Sequence, residues 1–485
     1  MALVIAALAP SVFAGSPVPA ASAVPAVPFS VALPIPQTLT DADITLVAQQ
    51  AEVPIRPGAP TTMWTYNGTF PGPTIRRPSG QPTRVTVVNQ LPASTGELTL
   101  HHHGAHASSA DDGQPMDLLI PTGGSRRYDY EMTEAGEPER GALQWYHDHR
   151  MDVTGRNVWM GLAGMFIVDD PAEAVIDAQL PNGAYDVPLM VVDRSFNGDN
   201  QIPYTFTSEG VNGDTPLVNG APQPYFEVAA RRYRLRLLNA SNNRSYNVAL
   251  SNGAGLVQVG SESGLLPAPV VRSSLLLGPA ERADVVVDFT GLLGQDVVLR
   301  NTAGSGAIGQ LMQFRVRRDE ADPSSIPATL RAPRVHQAGP LESTRTWVLG
   351  RDVQSGMWTI NGRGFEHDRV DATPVLGQAE RWTFINSTSV DHLVHIHDVD
   401  WKVVSRTGGL PALTDVAESG AKESFRIRPQ EVVVVESTFT DHTGRFVWHC
   451  HMLEHEDFSM MTQFEVVPGG GAPAGPVHDG HEHSH

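Results

Sequence analysis

A pattern that occurs three times limits what this chain can fold into. Each copy contains Asn-Gly after an apolar or aromatic residue and, further along, a segment of the form Arg-x-x-x-x-Asn. The copies begin at Tyr66, Val218 and Ile360, and the Arg-x-x-x-x-Asn segments run over 84–89, 234–239 and 381–386. Asn-Gly readily supplies the positive φ that a tight hairpin requires. Repeats of this length indicate three duplicated domains.

The composition around these repeats favours β structure. The 485 residues include 45 Gly and 38 Pro, and short alternating runs such as Arg84 to Asn89 are typical of strands separated by turns. A chain of this length is expected to form about three domains. The sequence therefore predicts an all-β protein of consecutive β-sandwiches. The predicted segments are a Pro/Ala-rich leader (1–35), three domains (36–172, 173–335 and 336–468) and a flexible tail (469–485).

Eight histidines form four His-x-His pairs. In an extended strand, alternate side chains project to the same face, so each pair can place two imidazoles side by side. The last pair encloses the only cysteine, Cys450, which therefore projects to the opposite face. One strand can in this way serve two metal sites. The pairs are His101 with His103, His147 with His149, His395 with His397, and His449 with His451.

The Cys450 face carries the donors of a mononuclear copper centre. Cys450, His455 and Met460 supply a thiolate, an imidazole and a weak thioether, and a second imidazole would complete a blue-copper electron-transfer site. His392 is the candidate for that imidazole, because its parity along the strand is opposite to that of His395. A single copper could not use all eight paired histidines, so their number indicates a metal cluster.

Taken in order along the chain, these motifs closely resemble the four signatures of the three-domain multicopper oxidases. Each signature is present, from the His101 pair to the His449 pair with its downstream His455 and Met460. The resemblance covers nearly the whole chain. It implies three cupredoxin-like domains of Greek-key topology and four copper ions. In this family a small donor is oxidised one electron at a time while O₂ is reduced to water by four electrons.

The resemblance also implies a role for each ligand. The type 1 copper, which collects electrons, would be bound by His392, Cys450, His455 and Met460. The type 2 copper would be bound by His101 and His395, and the paired type 3 coppers by His103, His147, His149, His397, His449 and His451. Electrons would pass from Cys450 to the cluster through its peptide neighbours. Residues 150–335 contain no histidine, so the cluster is expected between the first and third domains.

Two acidic residues match positions that assist proton delivery in relatives. Asp112 lies downstream of the first histidine pair, and Glu456 directly follows His455. Oxygen reduction consumes protons at a buried site, so a carboxyl group on the path from solvent is chemically required. The alternative interpretations are that Asp112 forms a turn before Gly113 and that Glu456 is an ordinary surface acid.

The other residues near the motifs are assigned to packing. His102 should point away from its neighbours, and Met461 is expected in the core because the spacing after His455 favours Met460 as the axial ligand. Four further histidines match no ligand position and are interpreted as loop or packing residues: His106, His336, His367 and His442.

The two ends carry separate predictions. The apolar run from Ala2 to Leu8, with small residues at Ala14 and at 21–23, resembles the later part of a signal peptide, although no Lys or Arg precedes it. A disordered leader is the alternative. We expect export to the periplasm, the cell envelope or the medium, and no run is long enough to span a membrane. The tail contains His478, His481, His483 and His485. It either binds copper transiently or is a solvated end without function.

The net charge of −19 argues against nucleic acid as a partner. Acidic residues cluster in sequence around the predicted type 1 ligands, and an acidic surface there would attract metal cations or amines. These residues are Asp391, Asp398, Asp400, Glu454, Glu456 and Asp457. The alternative is that most of these carboxylates are ordinary surface residues.

The third-domain segment from Asp398 to Arg406 is similar to the spore-coat laccase and bilirubin oxidase branch of the family. Copper-efflux oxidases of this architecture often carry a methionine-rich segment. This chain has 13 Met but no methionine-rich run. We therefore expect a laccase-like oxidase of phenols or aromatic amines, with oxidation of cuprous or manganous ions as the alternative. A copper-binding or storage protein without turnover is a third hypothesis, and the complete set of cluster histidines counts against it.

Overall fold

The computed structural model describes residues 27–331, 341–409 and 420–469. Most of the predicted leader, the predicted boundary near 335, His336 and all but the first residue of the predicted tail lie outside these ranges. Within them, no helix has the length and apolar character needed to cross a membrane.

The first domain is a sandwich of two sheets. Its strands are β1 Thr38–Leu39, β2 Asp43–Val53, β3 Thr61–Tyr66, β4 Thr74–Pro78, β5 Thr83–Asn89, β6 His101–His103, β7 Ser125–Tyr130, β8 Thr133–Glu134, β9 Glu137–Pro138, β10 Ala142–His147 and β11 Ala163–Asp169. The two sheets have the orders β1-β4-β11-β10-β6 and β3-β2-β5-β7, and β8 pairs with β9. Its helices are a 3-10 turn, Ala93–Thr95, and α1, Thr154–Met160.

The middle domain contains the largest sheet. Its strands are β12 Asp186–Arg194, β13 Thr215–Val218, β14 Ala221–Pro222, β15 Tyr225–Ala229, β16 Arg232–Asn239, β17 Tyr246–Leu250, β18 Leu256–Ser261, β19 Gly264–Arg272, β20 Leu275–Leu277, β21 Arg282–Asp288, β22 Asp296–Asn301 and β23 Gln310–Arg318. The sheets have the orders β14-β13-β12-β16-β21-β18-β19 and β15-β23-β22-β17-β20. The short helices are α2, Ala174–Asp177, and the 3-10 turns Pro171–Glu173, Gly183–Tyr185 and Gly306–Gly309.

The third domain repeats the sandwich. Its strands are β24 Leu341–Arg351, β25 Trp358–Ile360, β26 Ala379–Asn386, β27 His392–Ile396, β28 Lys402–Gly408, β29 Ser424–Ile427, β30 Glu431–Thr438, β31 Gly444–Cys450 and β32 Met461–Val466, with the helix α3 at Leu453–Asp457. The sheet orders are β25-β24-β26-β30-β28 and β29-β27-β31-β32. The all-β prediction of three cupredoxin-like sandwiches is confirmed.

The threefold sequence repeat forms the same turn in each domain. Asn67, Asn219 and Asn361 have positive φ angles of 56°, 48° and 52°, as predicted for a tight Asn-Gly turn. Each side-chain Oδ1 accepts a hydrogen bond from a backbone N–H of the neighbouring strand. The donors are Val47, Met190 and Val348, at 2.7, 2.8 and 2.7 Å. The asparagine thus stabilises the turn through both its backbone and its amide group.

Each domain has its own apolar core, and a further cluster joins the first two domains. The core of the third domain contains five tryptophans together with Cys450 and Met460. The joining cluster includes Trp145 and Trp159 of the first domain and Met190 of the middle domain. Leu33, which belongs to the predicted leader, packs into the middle-domain core. The described part of that leader is therefore attached to the middle domain.

Candidate metal centres

Two antiparallel strand pairs bring the histidine pairs together. Strands β27 and β31 pair so that His395 lies opposite His449, and β6 and β10 pair so that His101 lies opposite His147. Only the first pair lies wholly within a strand. The other three pairs each have their second member just beyond the strand end, at His149, His397 and His451. All eight imidazoles are nevertheless buried.

The third domain alone holds the mononuclear group. Cys450 Sγ lies 3.5 Å from His392 Nδ1 and 3.7 Å from His455 Nδ1, and the two Nδ1 atoms are 3.2 Å apart. Two imidazole nitrogens have about this separation when both bind one metal ion at about 2 Å. Met460 is fully buried in the same core. Thr388 Oγ1 lies 2.9 Å from His392 Nε2 and so orients this ring.

Burial determines the protonation state of this group. It raises the pKa of the Cys450 thiol to about 12 and lowers the pKa of His392 well below its usual value. Burial and, after it, the positive charge of Arg351 lower the pKa of His455 to about 3. The thiol therefore keeps its proton until a metal ion displaces it, whereas both imidazoles are neutral and ready to bind.

The eight paired histidines form one continuous cluster between the first and third domains. In three groups, the potential ligand atoms all lie within 4.8 Å of one another. The groups are His103, His147 and His451; His149, His397 and His449; and His101, His103 and His395. The Nε2 atoms of His149 and His449 are 3.1 Å apart, a separation compatible with a shared metal ion.

The donor set fits copper. Burial lowers the pKa of most of these imidazoles well below the usual value and keeps them neutral: His103, His147, His149, His395 and His451. Among the described residues, the Nε2 atom of His147 and both ring nitrogens of His451 are buried without a hydrogen-bond partner, which is costly unless a metal ion satisfies them. Neutral imidazole suits copper, and thiolate with thioether completes a blue-copper set.

Asp112 orients two cluster histidines. Its Oδ2 lies 2.7 Å from His397 Nδ1, and its backbone carbonyl accepts a hydrogen bond of 2.7 Å from His101 Nδ1. Burial acts to raise the pKa of Asp112, but the larger combined effect of His397 and His101 holds it below its usual value. The group is therefore a carboxylate. Gly113 has a φ of 78°, so Asp112 also precedes a turn, and both interpretations of this residue are compatible with the structure.

Glu456 orients two other cluster histidines. Its Oε2 lies 3.0 Å from His449 Nδ1 and its Oε1 lies 3.5 Å from His149 Nδ1. Thr154 Oγ1 donates a hydrogen bond of 2.9 Å to Oε1. Burial acts to raise the pKa of Glu456, but the two histidines lower it to about 2. Glu456 is 0% exposed, so its interpretation as a surface acid is wrong. Its part in proton delivery stays a prediction.

The middle domain contacts the cluster through a residue that the sequence did not single out. Arg282, which is fully buried, forms a bidentate ion pair with Glu423, and Glu423 Oε1 lies 3.0 Å from His103 Nε2. The sequence offered no signal for this contact, because its members are far apart in the chain. Trp358 was missed as well, although it lies two residues before the start of the third repeat and its ring centroid lies 4.4 Å from that of His455.

The structure places the packing residues as follows. His102 points away from the cluster, against Tyr130 and Phe166, as predicted. His106 is buried, with Nδ1 2.8 Å from Asp441 Oδ2 of the third domain, so it is an interdomain packing residue. Three other residues that were assigned to loops or packing are also described. Met461 is fully buried, His367 Nε2 lies 3.0 Å from Asp117 Oδ1, and His442 is partly buried.

The prediction of an acidic surface around the group of His392, Cys450 and His455 is wrong. Glu454 and Glu456 are fully buried, and burial raises the pKa of Asp398 and of Asp457 well above the usual value, so both favour the neutral form. Asp391, which is partly exposed, is paired with Arg426 at 2.6 Å. Most of these acidic residues thus point into the protein, and the exposed Asp391 is neutralised by its ion pair, so the group does not form an acidic surface that attracts cations.

Comparisons with known proteins agree with this geometry. A family model described as multicopper oxidase matches residues 47–173, and a second with the same description matches residues 340–470. The laccase of Bacillus subtilis (strain 168) is 35% identical over 505 residues, covering 90% of this chain and 98% of that protein. The bilirubin oxidase of Albifimbria verrucaria is 35% identical over 84% of this chain and 73% of its own length.

Solved structures show the same architecture. The multi-copper oxidase from Pediococcus acidilactici superposes with a TM-score of 0.82 at 30% identity, covering 93% of both chains. The McoA multicopper oxidase from Aquifex aeolicus gives a TM-score of 0.81 at 29% identity, covering 90% of this chain and 99% of that chain. The chain belongs to the multicopper oxidase family. It is a copper-dependent oxidoreductase that uses oxygen as electron acceptor.

Proposed function

We propose that the protein is a laccase-type enzyme that carries four coppers and oxidises phenols or aromatic amines. In this proposal type 1 copper is bound by His392, Cys450, His455 and Met460, type 2 copper by His101 and His395, and the type 3 pair by His103, His147, His149, His397, His449 and His451. The coppers would accept single electrons from the donor and pass four to O₂, which with four protons gives two water molecules.

The observation that carries the substrate class is a cleft at His455. A cavity of about 380 Å³ is lined by this imidazole together with Asn212, Asn243, Val390 and Met452. Its volume lies in the range of small-molecule sites. Three charged residues also line the cleft, and each is paired with a residue of opposite charge: Glu209, Arg244 and Asp391. The amide and apolar parts of the wall suit a phenol or aniline ring with one polar substituent, and a donor held there would touch the type 1 ligand directly.

Asp112 and Glu456 would serve the oxygen-reducing side. Each carboxylate lies next to the Nδ1 atom of a cluster imidazole, so that Nε2 would be the atom that binds copper. A carboxylate in that place can also accept a proton from solvent and pass it inward. We assign both residues to orienting the histidines and moving protons, and neither residue to binding the organic donor.

Oxidation of cuprous ion is the second candidate, because the fold gathers methionines that the sequence keeps apart. Met116, Met151 and Met357 line one pocket of about 390 Å³, which also contains His367 and Asp457. Thioethers are soft donors that suit Cu(I). The absence of a methionine-rich run therefore does not argue against a cuprous site.

Two variants separate these candidates. We would measure steady-state turnover of a phenol, an aromatic amine, bilirubin, Cu(I) and Mn(II) by the copper-loaded enzyme while recording O₂ consumption. Asn212→Trp should fill the exposed mouth of the cleft and lower kcat/KM for the organic donors, with Asn212→Ala as the control. The double variant Met116→Leu with Met357→Leu should lower only Cu(I) oxidation.

A laccase-type function requires that the wild-type enzyme oxidises phenols or aromatic amines and that Asn212→Trp lowers kcat/KM for them. If Asn212→Trp leaves phenol and amine oxidation unchanged, the cleft is not the donor site. If wild-type enzyme oxidises only Cu(I) or Mn(II), the protein is a metal-ion oxidase. Blue copper-loaded protein that consumes no O₂ with any donor would instead indicate a storage protein.

We further propose that the protein is exported. The apolar run from Ala2 to Leu8 and the small residues that follow support this proposal. Expression of the full chain with fractionation of cells and medium, and determination of the N-terminus of the mature protein, tests it. Recovery of uncleaved protein in the cytoplasm would contradict export.

A further inference from the structure

An aromatic residue links the type 1 ligands to a surface cation. Trp358 is 1% exposed, and its ring centroid lies 4.4 Å from that of His455 and 5.0 Å from that of His392. The Arg351 guanidinium lies over the same indole, 4.5 Å from the ring centroid. The Trp358 Nε1–H donates to the carbonyl oxygen of Ser208 at 2.7 Å. One buried ring thus separates a positive charge from a copper-ligating imidazole.

The charge of Arg351 is balanced by the middle domain. Arg351 Nη2 lies 2.6 Å from Glu209 Oε1 and donates to Ser208 Oγ at 3.2 Å, while its Nε donates to the carbonyl oxygen of Gly356 at 2.9 Å. Glu209 also lines the cleft that contains His455. The ion pair therefore lies at the junction of two domains and next to the donor site.

The other charged residues of the cleft are tied to more buried partners. Arg244 pairs at 2.7 Å with Asp193, which is 0% exposed. Asp391 pairs at 2.6 Å with Arg426. By contrast, the Arg351 and Glu209 side chains are 37% and 54% exposed. The Arg351–Glu209 pair is thus the one whose charge a variant can change with least disturbance of the core.

We propose that the Arg351–Glu209 pair sets the charge experienced by His455 and selects electron donors by their charge. This inference rests on the proposed binding of type 1 copper by His455. With both partners present the cleft is electrically balanced and favours neutral phenols. An unpaired Arg351 would stabilise the reduced copper and attract anionic donors, whereas an unpaired Glu209 would stabilise the oxidised copper and attract cationic donors.

The test is a set of matched variants. Arg351→Gln leaves an unpaired anion, Glu209→Gln leaves an unpaired cation, Arg351→Lys keeps the charge, and the double Gln variant removes both charges. The midpoint potential of the blue band should fall in Arg351→Gln and rise in Glu209→Gln. It should stay near the wild-type value in Arg351→Lys and in the double variant.

Donor selection gives a second measurement. We would compare kcat/KM for two phenols of similar reducing power, one carrying a sulfonate and one carrying a quaternary ammonium group. The ratio of the two values should shift about fivefold in favour of the sulfonate in Glu209→Gln and about fivefold the other way in Arg351→Gln. Both shifts should shrink at high ionic strength, because salt screens exposed charges.

The decisive result is that Arg351→Gln and Glu209→Gln shift the midpoint potential and the donor ratio in opposite directions. If the two single variants keep the blue band but move the potential and the donor ratio in the same direction, or leave both unchanged, the inference is overturned. A purely structural role would give equal losses for both donors. Failure of the wild-type protein to form a blue band would instead overturn the proposed function.

Discussion

The two metal-binding regions differ in how many domains are needed to build them. The mononuclear group of His392, Cys450 and His455 lies entirely in the third domain, whereas the histidine cluster takes half its members from the first. Strand β31 contributes to both, through its opposite faces. The mononuclear group should therefore form once the third domain has folded, but the cluster also requires correct docking of two domains.

The domain contact around the cluster depends on polar groups. Ser109 Oγ donates to the carbonyl oxygen of Arg445 at 2.6 Å, and Thr154 of α1 contacts Glu456 of α3. Polar contacts between domains have water as a competitor and each contributes modestly to stability. We therefore expect changes at the interface to affect the cluster before they affect the mononuclear group. The following predictions test this difference, from the largest effect to the smallest.

The largest effect is expected from Cys450→Ser. In the proposed function the Cys450 thiolate provides the charge-transfer band and collects the electrons, so the variant should lose both its blue colour and its oxidase activity. Absorption spectra and O₂ consumption of the copper-loaded protein measure the two losses. Turnover at the wild-type rate would show that the assignment of Cys450 is wrong.

His103→Ala and His449→Ala should separate the two regions. Neither residue belongs to the mononuclear group, so the blue band should remain, while a depleted cluster should no longer reduce O₂. Donors would then bleach the colour, and air would not restore it in stopped-flow measurements. His442→Ala, outside both groups, is the control. Rapid reoxidation of the His103 or His449 variant would contradict the division between the faces of β31.

Glu456→Gln should slow turnover about 10- to 100-fold, because outer partners of metal ligands commonly have effects of this size. The amide cannot accept a proton for relay, so the difference from wild type should widen as pH rises and protons become scarce. Glu454→Gln is the matched control, since Glu454 is equally buried but accepts a hydrogen bond from Asn242 at 2.7 Å. Equal pH profiles of wild type and Glu456→Gln would remove Glu456 from proton delivery.

His106→Gln should loosen the docking of the first and third domains. Burial acts to lower the pKa of His106, but Asp400 and Asp441 raise it well above its usual value. A raised folded-state pKa stabilises the folded protein below the unfolded pKa of about 6.5, and this stabilisation is lost as pH rises through the folded pKa. We expect a loss of about 2 kcal/mol near pH 6.

Thermal unfolding of wild type and His106→Gln across pH measures this loss, and the difference between them should shrink at alkaline pH. Copper analysis should show that cluster copper is released before the blue band fades. Loss of the blue band first would argue against the two-domain dependence of the cluster.

Met460→Leu should have the smallest effect. Removal of a weak axial donor destabilises oxidised copper, so the midpoint potential should rise and poorly reducing phenols should be oxidised faster, while the colour is kept. Met461→Leu, which changes a neighbouring core methionine, should leave the potential unchanged. A lower or equal potential in Met460→Leu would contradict its role as axial ligand.

The parts that sequence could predict are those governed by local geometry. Alternation along a strand predicts which face Cys450 occupies, and the Asn-Gly sequence predicts the positive φ of Asn67. Contacts between domains have no such local rule. The pairing of Arg282 with Glu423 and the meeting of Met116 with Met357 in one pocket depend on how separate domains dock, so periodicity carries no information about them.

The same limit explains why the acidic residues were misread. Asp398 and Asp457 are polar and close in sequence to ligands, which favours a surface interpretation, yet both are buried. Asp457 accepts hydrogen bonds from the backbone N–H groups of Thr154 and Gly155 at 2.9 and 2.8 Å. A buried carboxyl is satisfied here by the start of a helix in another domain, a partner that only the assembled fold supplies.

Strand β31 also constrains how the two centres can change together. A side chain's face is fixed by odd or even position, so deletion or insertion of one residue between Gly444 and Trp448 would exchange the faces of His449 and Cys450 relative to β27 and β32. The thiol would then point at the imidazole cluster and the imidazoles into the apolar core. A shift of register by one residue would therefore disrupt both metal-binding groups at once. The length of this strand is as constrained as the identity of its ligands.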